Sequence, residues 1–146
     1  MTRIAVLNGP NLDLLGQREP EIYGRTTFAE LEAMVRDEAT RLGVTLDWSQ
    51  TNHEGAFLDK VRSLRGQVDG CVVNAGAWTH GNLAVRDALL ALAVPFVEVH
   101  LSNLFAREPE RRHSVLADRA AGFVTGFGPR GYLLALRGLA GQLRGE

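Results

Sequence analysis

The sequence has almost no cysteine and almost no lysine. Cys71 is the only cysteine among 146 residues, so no disulfide can form within the chain and a cytoplasmic location is expected. Lys60 is the only lysine among 16 basic residues, so a mechanism through a lysine Schiff base has a single candidate. We expect Lys60 to lie on a surface helix outside any site, and Cys71 to be an inert core residue.

Long apolar runs and a large net charge of either sign are also missing. No stretch approaches the about 20 apolar residues that span a membrane, and the apolar run at residues 4–7 is too short for a signal peptide. A net charge of −1 offers no positive field to nucleic acid. The four histidines lack the spacing of zinc ligands, so no metal is expected. The composition therefore predicts a soluble globular protein without a nucleic-acid, membrane or metal partner.

Short β-rich runs alternate with helical patterns along the whole chain, as is typical of a parallel α/β sheet. Strands are predicted at residues 3–7, 44–49, 70–73, 96–99 and 122–125, and helices at about 28–42, 55–64, 83–92 and 130–143. Thr27 and Glu30 form a capping-box pattern before the first helix, and Gly43 marks its end. The sequence thus predicts one domain, residues 1–146, with an α/β fold: a flavodoxin-like doubly wound five-stranded parallel sheet with helices on both faces.

Polar side chains gather where the predicted strands end. In open α/β sheets, ligands bind beyond the carboxyl ends of the strands, so these side chains predict a site, although turns also favour some of them for local reasons. They are Asn8, Pro10 and Asn11, then Gln50, Asn52 and His53, then Asn74, Thr79 and His80, and finally Glu98, His100 and Ser102.

The same strand ends carry six ordered blocks of sequence. They are NGPNLDLLGQREPEIYG (8–24), NHEG (52–55), NAGAWTH (74–80), EVHLSN (98–103), REPERRHS (107–114) and GPRGYLLAL (128–136). Through these blocks, which extend over essentially the whole chain, the sequence strongly resembles the type II 3-dehydroquinate dehydratases. Some positions depart from the family pattern: Ala75 stands where proline is common, Trp78 where tyrosine is usual, and Gly81-Asn82 where Thr-Ser is common. These changes flank the expected substrate contacts and leave them intact.

The resemblance implies an anti elimination through an enolate that converts 3-dehydroquinate to 3-dehydroshikimate and water, without a cofactor. The step serves the shikimate pathway of aromatic amino acid biosynthesis or the breakdown of quinate. The resemblance implies Tyr23 as the base, Arg18 as the cation beside it, and His100 as the acid for the departing hydroxyl. Glu98 shares a strand face with His100 and can orient its ring. Asn11 is the family position that holds a water against the enolate oxygen, although alone it would be a turn residue.

Tyrosine is an unusual base, which makes its surroundings important. A free phenol has a pKa near 10 and is a poor base at neutral pH unless a cation stabilises its anion. A cation at 4 Å contributes about 1 kcal/mol in water but about 4 kcal/mol at an intermediate dielectric, so Arg18 suffices only if water is expelled. The loop at about residues 17–25 is therefore predicted to be a lid that closes over the substrate. Without the resemblance, Tyr23 would be an ordinary loop aromatic.

The family positions for substrate binding follow the third and fourth strands. They are Asn74, His80, Ser102 and Arg111, with backbone N–H groups of Leu101 and Ser102 for the substrate carboxylate.

Five further residues receive expectations of other kinds. Arg107 is expected near the lid, where it adds positive potential, and Arg112 is expected to pair with a carboxylate. His53 and His113 are interpreted as structural. Asp87 would be an ordinary exposed helix acid by itself, but the resemblance implies that it reaches a neighbouring subunit's site. Trimers assembled into a homododecamer would follow.

The main alternative is a flavodoxin-like module that binds FMN or another small phosphate ligand. The first loop, NGPN, lacks a Ser/Thr-rich phosphate cradle, which disfavours it. A receiver domain is disfavoured because the first strand ends in Asn8 without an acidic cluster. An enzyme of the same ancestry that acts on a different hydroxy-ketone acid is a third alternative.

Overall fold

A five-stranded parallel sheet forms the centre of the computed structural model, which describes residues 1–146. The strands are β1 (Arg3–Asn8), β2 (Thr45–Gln50), β3 (Gly70–Asn74), β4 (Phe96–His100) and β5 (Gly122–Thr125). They lie in the order β2-β1-β3-β4-β5, and every neighbouring pair is parallel. This order confirms the predicted flavodoxin-like, doubly wound architecture.

Helices cover both faces of the sheet, as predicted. They are α1 (Pro20–Tyr23), α2 (Phe28–Leu42), α3 (Glu54–Ser63), α4 (Leu83–Leu92) and α5 (Arg130–Leu143). One apolar core joins α2 and α5 to one face of the sheet, and a second joins α3 and α4 to the other. The capping box is present: Thr27 Oγ1 accepts from the Glu30 N–H at 3.1 Å, and Glu30 Oε1 accepts from the Thr27 N–H at 2.9 Å. No helix is long and apolar enough to cross a membrane.

Whereas β2 begins and ends one residue later than predicted, β1, β3 and β4 each extend one residue further than the apolar pattern predicts. The pattern ended each strand at its last apolar residue, but backbone pairing continues through the polar residue that follows. Asn8 of β1 pairs with Asn74 of β3, and His100 of β4 pairs with Thr125. The prediction was wrong by this residue because strand pairing depends on the backbone and not on side-chain polarity. These polar residues consequently lie on the sheet edge itself, where backbone pairing holds them more rigidly than a loop would.

The loops after β1 and β3 pack against each other beside this edge. A Cβ atom on Gly9 would lie 2.6 Å from the carbonyl oxygen of Ala75, so only glycine fits there. Gly76 has a φ of 56° and lies against Pro10 in the same way. This close contact joins the two loops into one floor.

The two residues expected to lie outside any site have structural contacts. Lys60 Nζ in α3 lies 3.0 Å from Asp47 Oδ1. Cys71 is fully buried in β3, and burial raises the pKa of its thiol to about 12, so it stays protonated and unreactive.

Candidate active site

A cleft at the carboxyl edge of the sheet collects most of the predicted site residues. Its wall includes ten of the twelve residues to which the resemblance gives a role in catalysis, substrate binding or the lid: Asn11, Arg18, Tyr23, Asn74, His80, His100, Leu101, Ser102, Arg107 and Arg111. The two that do not line it are Glu98, directly behind His100, and Asp87, on the outer surface of α4.

Tyr23 lies at the end of α1 beside two guanidinium groups. The Cζ atoms of Arg18 and Arg107 each lie 5.5 Å from the centre of its ring. Arg107 Nη1 is 3.4 Å from the Tyr23 hydroxyl and 3.2 Å from Ser102 Oγ. The hydroxyl thus contacts Arg107, whereas Arg18 lies across the ring, with its Nε 3.4 Å from Glu19 Oε1.

His100 and Glu98 form a buried pair on one face of β4. His100 Nε2 lies 2.5 Å from Glu98 Oε2, and Glu98 is fully buried. A carboxylate only accepts hydrogen bonds, so His100 Nε2 carries the hydrogen, and Nδ1 is the ring nitrogen without a protein partner. The pairing predicted from the spacing of the two residues is therefore present.

Two hydroxyl groups complete the surroundings of Glu98. Sequence reasoning placed Thr79 among the polar strand-end residues without a role, and it did not single out Ser114. Thr79 Oγ1 donates to Glu98 Oε2 at 2.7 Å, and Ser114 Oγ donates to Oε1 at 2.7 Å. The N–H groups of Leu116 and Ala117 donate to Ser114 Oγ, which orients its hydrogen toward Glu98. Both hydroxyls lie within the resemblance blocks, but hydroxyl residues are too common there to indicate a buried carboxylate.

Asn11 faces the cleft from the loop after β1. Its φ of 68° is left-handed, a conformation that asparagine tolerates better than most residues. The Asn11 N–H donates to Asn52 Oδ1 at 2.8 Å, and the side chain has no protein hydrogen bond. The amide is thus available to a ligand or a water.

His80 is tied to His113 at the cleft wall. His80 Nδ1 lies 2.9 Å from the His113 carbonyl oxygen, and His113 Nε2 lies 2.5 Å from the His80 carbonyl oxygen. Burial is the main cause of a lowered pKa for His80, which favours the neutral ring. A neutral His80 whose Nδ1–H is used leaves Nε2 as a hydrogen-bond acceptor for a ligand hydroxyl.

Polar donors line the turn that follows β4. The N–H groups of Leu101 and Ser102 make no hydrogen bond within this turn. Arg111 lines the cleft, with its Nε 2.7 Å from Glu108 Oε1. Arg112 was expected to pair with a carboxylate, but its Nε donates to the Arg107 carbonyl at 2.6 Å because that oxygen lies within reach in the turn.

One departure from the family pattern has a clear local role. Asn82 caps α4, because its Oδ1 accepts from the Val85 N–H at 2.9 Å. Trp78 packs edge-on against Phe57, with ring centres 5.3 Å apart.

No cluster of three or more His, Cys, Asp or Glu side chains could hold a metal ion.

Fold and cleft together define a flavodoxin-like α/β protein whose cleft holds a tyrosine, two arginines and a buried His–Glu pair. The family model of class II dehydroquinases matches residues 2–140. The chain therefore belongs to the class II dehydroquinase family.

Relatives and solved structures agree with this assignment. A 3-dehydroquinate dehydratase of Synechococcus sp. strain WH7803 is 54% identical, covering 98% of this chain and 97% of its own. Catabolic 3-dehydroquinase 1 of Aspergillus terreus is 53% identical, covering 94% of this chain and 90% of its own. The crystal structure of the type II dehydroquinase of Propionibacterium acnes is 42% identical, with a TM-score of 0.92, covering 96% of this chain and 97% of its own.

Proposed function

We propose that the chain is a hydro-lyase that converts 3-dehydroquinate to 3-dehydroshikimate and water. The observation that carries the proposal is a cleft in a chain of the class II dehydroquinase family. This cleft brings Tyr23, which lies beside two guanidinium groups, together with His100 of the His100–Glu98 pair. Such an elimination needs a base, a stabilised oxyanion and an acid for the leaving group.

In the proposed mechanism, the Tyr23 anion removes a proton from the carbon between the ketone and the carbinol carbon. The C–H electron pair moves into the ketone to form an enolate, whose oxygen is stabilised by a water bound to Asn11. His100 then donates a proton to the departing hydroxyl, the C–O bond breaks, and the enolate electrons form the conjugated double bond. Water leaves, and solvent restores the protonation of both side chains.

Substrate binding is assigned to groups on the opposite walls of the cleft. The unused N–H groups of Leu101 and Ser102 are proposed to bind the carboxylate, as oriented backbone donors bind anions elsewhere. Asn74, His80 and Arg111 are proposed to bind the hydroxyl groups, and Arg107 adds positive potential beside Tyr23. The segment 17–25, which includes Arg18, is proposed to close over the substrate.

Tyr23→Phe tests the base. The variant should lose at least a thousandfold in kcat while substrate-analogue binding stays within about threefold, because only the proton-accepting oxygen is removed. Anti elimination is tested with substrate deuterated on the face opposite the departing hydroxyl: the product should lose that deuterium. Retained turnover in the variant or retained deuterium in the product would contradict the mechanism.

We also propose that the active form is a homododecamer built of trimers, in which Asp87 reaches a neighbour's site, and that it works in the cytoplasm. Asp87 is exposed on α4, beside a groove between α3 and α4 that is lined by six apolar side chains and, besides Asp87, by the charged residues Asp59, Arg62 and Arg65. A partly apolar groove beside Asp87 supports an intersubunit role. Mixed oligomers of Asp87→Ala and Tyr23→Phe subunits should regain activity that neither variant has alone, because some sites would combine an intact tyrosine with a neighbour's intact aspartate. Full activity of a monomer in sedimentation would contradict this assembly.

A further inference from the structure

The hydroxyl group of Tyr132 lies in the core between two asparagines, and the proposed chemistry does not use it. Tyr132 belongs to α5 and is fully buried. Its hydroxyl is 2.7 Å from Asn8 Oδ1 and 2.9 Å from Asn74 Nδ2. Burial raises the pKa of Tyr132 above its ordinary value, so the hydroxyl stays protonated at neutral pH. It is therefore a permanent donor and acceptor, not a titrating group.

Backbone groups at both ends fix the direction of this hydrogen-bond chain. At one end, Asn8 Nδ2 donates to the Ser49 carbonyl at 3.0 Å, so Asn8 can offer Tyr132 only its oxygen. At the other end, the Gly76 N–H donates to Asn74 Oδ1 at 3.1 Å, so Asn74 presents its nitrogen to Tyr132. The Tyr132 hydroxyl must donate to Asn8 and accept from Asn74, since no other arrangement satisfies all of the groups.

This chain determines what Asn74 can offer a ligand. Asn74 is 3% exposed and lines the cleft at the end of β3. One of its two Nδ2 hydrogens goes to Tyr132 and one Oδ1 lone pair to Gly76, which leaves one donor and one acceptor position. Without the Tyr132 hydroxyl, the nitrogen loses its buried partner and the side chain is tied only through its oxygen.

We propose that Tyr132 is a positioning residue that orients the Asn74 amide for binding an oxygen-rich ligand in the cleft. The identity of that ligand rests on the proposed function. Since Asn74 is assigned to binding and not to proton transfer, the loss of this orientation should appear in KM more than in kcat. The net value of one hydrogen bond corresponds to a change of roughly three- to tenfold.

A kinetic double-mutant cycle with 3-dehydroquinate tests the inference. Tyr132→Phe should raise KM about three- to tenfold while kcat stays within twofold, and it should add nothing to the KM of Asn74→Ala. Trp48→Phe is the matched control, because Trp48 packs against the same ring, with centres 6.1 Å apart, but touches neither asparagine amide through a hydrogen bond. This control should lower thermal stability without changing KM.

The possible outcomes separate the inference from the proposed function. A wild-type chain without turnover would refute the proposed function. In that case the side-chain NMR signals of Asn74 test the inference. It requires that one amide proton of Asn74 exchanges slowly with solvent in wild type and faster in Tyr132→Phe. A wild-type chain with turnover and an unchanged KM in Tyr132→Phe would overturn the inference. The inference would also be overturned if Tyr132→Phe raised KM by the same factor in the Asn74→Ala background, because Tyr132 would then act without Asn74.

Discussion

Replacing Glu98 by glutamine alters one atom in the most enclosed part of the site. Glu98 is fully buried and accepts hydrogen bonds from His100, Thr79 and Ser114. Glutamine has nearly the same shape but replaces one acceptor oxygen by a donating NH2 group. The NH2 group can replace either carboxylate oxygen, and in both positions it faces a hydrogen-bond donor: Ser114 at one, and His100 with Thr79 at the other.

These contacts determine how much stability and how much kcat the Glu98→Gln variant should lose. Placed toward Ser114, the NH2 group meets a hydroxyl that already accepts from two backbone N–H groups. Placed toward His100, it removes the acceptor that fixes the ring. A buried polar group left unsatisfied costs about 1–3 kcal/mol of stability. A positioned general acid contributes about 10²–10⁴ in rate, so we expect kcat to fall at least a hundredfold.

The assay is steady-state turnover of 3-dehydroquinate together with urea unfolding of the same variant. Glu32→Gln is the matched control, because it makes the same chemical change at a half-buried position of α2 far from the cleft, where Glu32 pairs with Arg36 at 2.8 Å. The control should keep wild-type kcat. A folded Glu98→Gln variant with kcat within threefold of wild type would refute the role assigned to the His100–Glu98 pair.

Two further predictions concern stability. Hydrogen bonds from Arg137, aided by Arg41, lower the pKa of Glu38 to about 2. The ion pairs of Glu38 therefore contribute their full stabilisation above its unfolded-state pKa near 4.5. This stabilisation is lost as the pH falls toward 2 and the carboxylate becomes protonated. The free energy of unfolding by urea should therefore fall more steeply over this range in wild type than in Glu38→Gln, and parallel curves would contradict the assignment. Asn82→Ala removes the cap that accepts from the Val85 N–H and should cost about 1 kcal/mol, whereas Asn82→Ser should recover most of it in the same measurement.

Much of the architecture could be predicted from local patterns. Thr27, Glu30 and Gly43 mark the ends of α2 because capping depends on residues within one turn of each other. The spacing of Glu98 and His100 predicted their pairing, since alternate residues share a strand face. The parallel direction of the strands could be predicted from the alternation of strands and helices along the chain.

Contacts between distant segments could not be predicted in this way. Tyr132 belongs to a helix whose apolar pattern indicates only core packing, and its partners lie 124 and 58 residues away in the chain. The same limit applies to the Tyr23 hydroxyl, which contacts Arg107, a residue 84 positions away, and not the nearby Arg18. Side-chain partners of this kind depend on where the loops meet, which no short-range pattern specifies.

The most direct test of the proposed function is the absorbance of the conjugated enone after 3-dehydroquinate is added to the purified protein. We predict an increase that borohydride, added in a parallel reaction, does not abolish, because no Schiff base forms through Lys60. No increase from the folded protein would contradict the assigned activity. An increase abolished by borohydride would contradict the tyrosine-based mechanism.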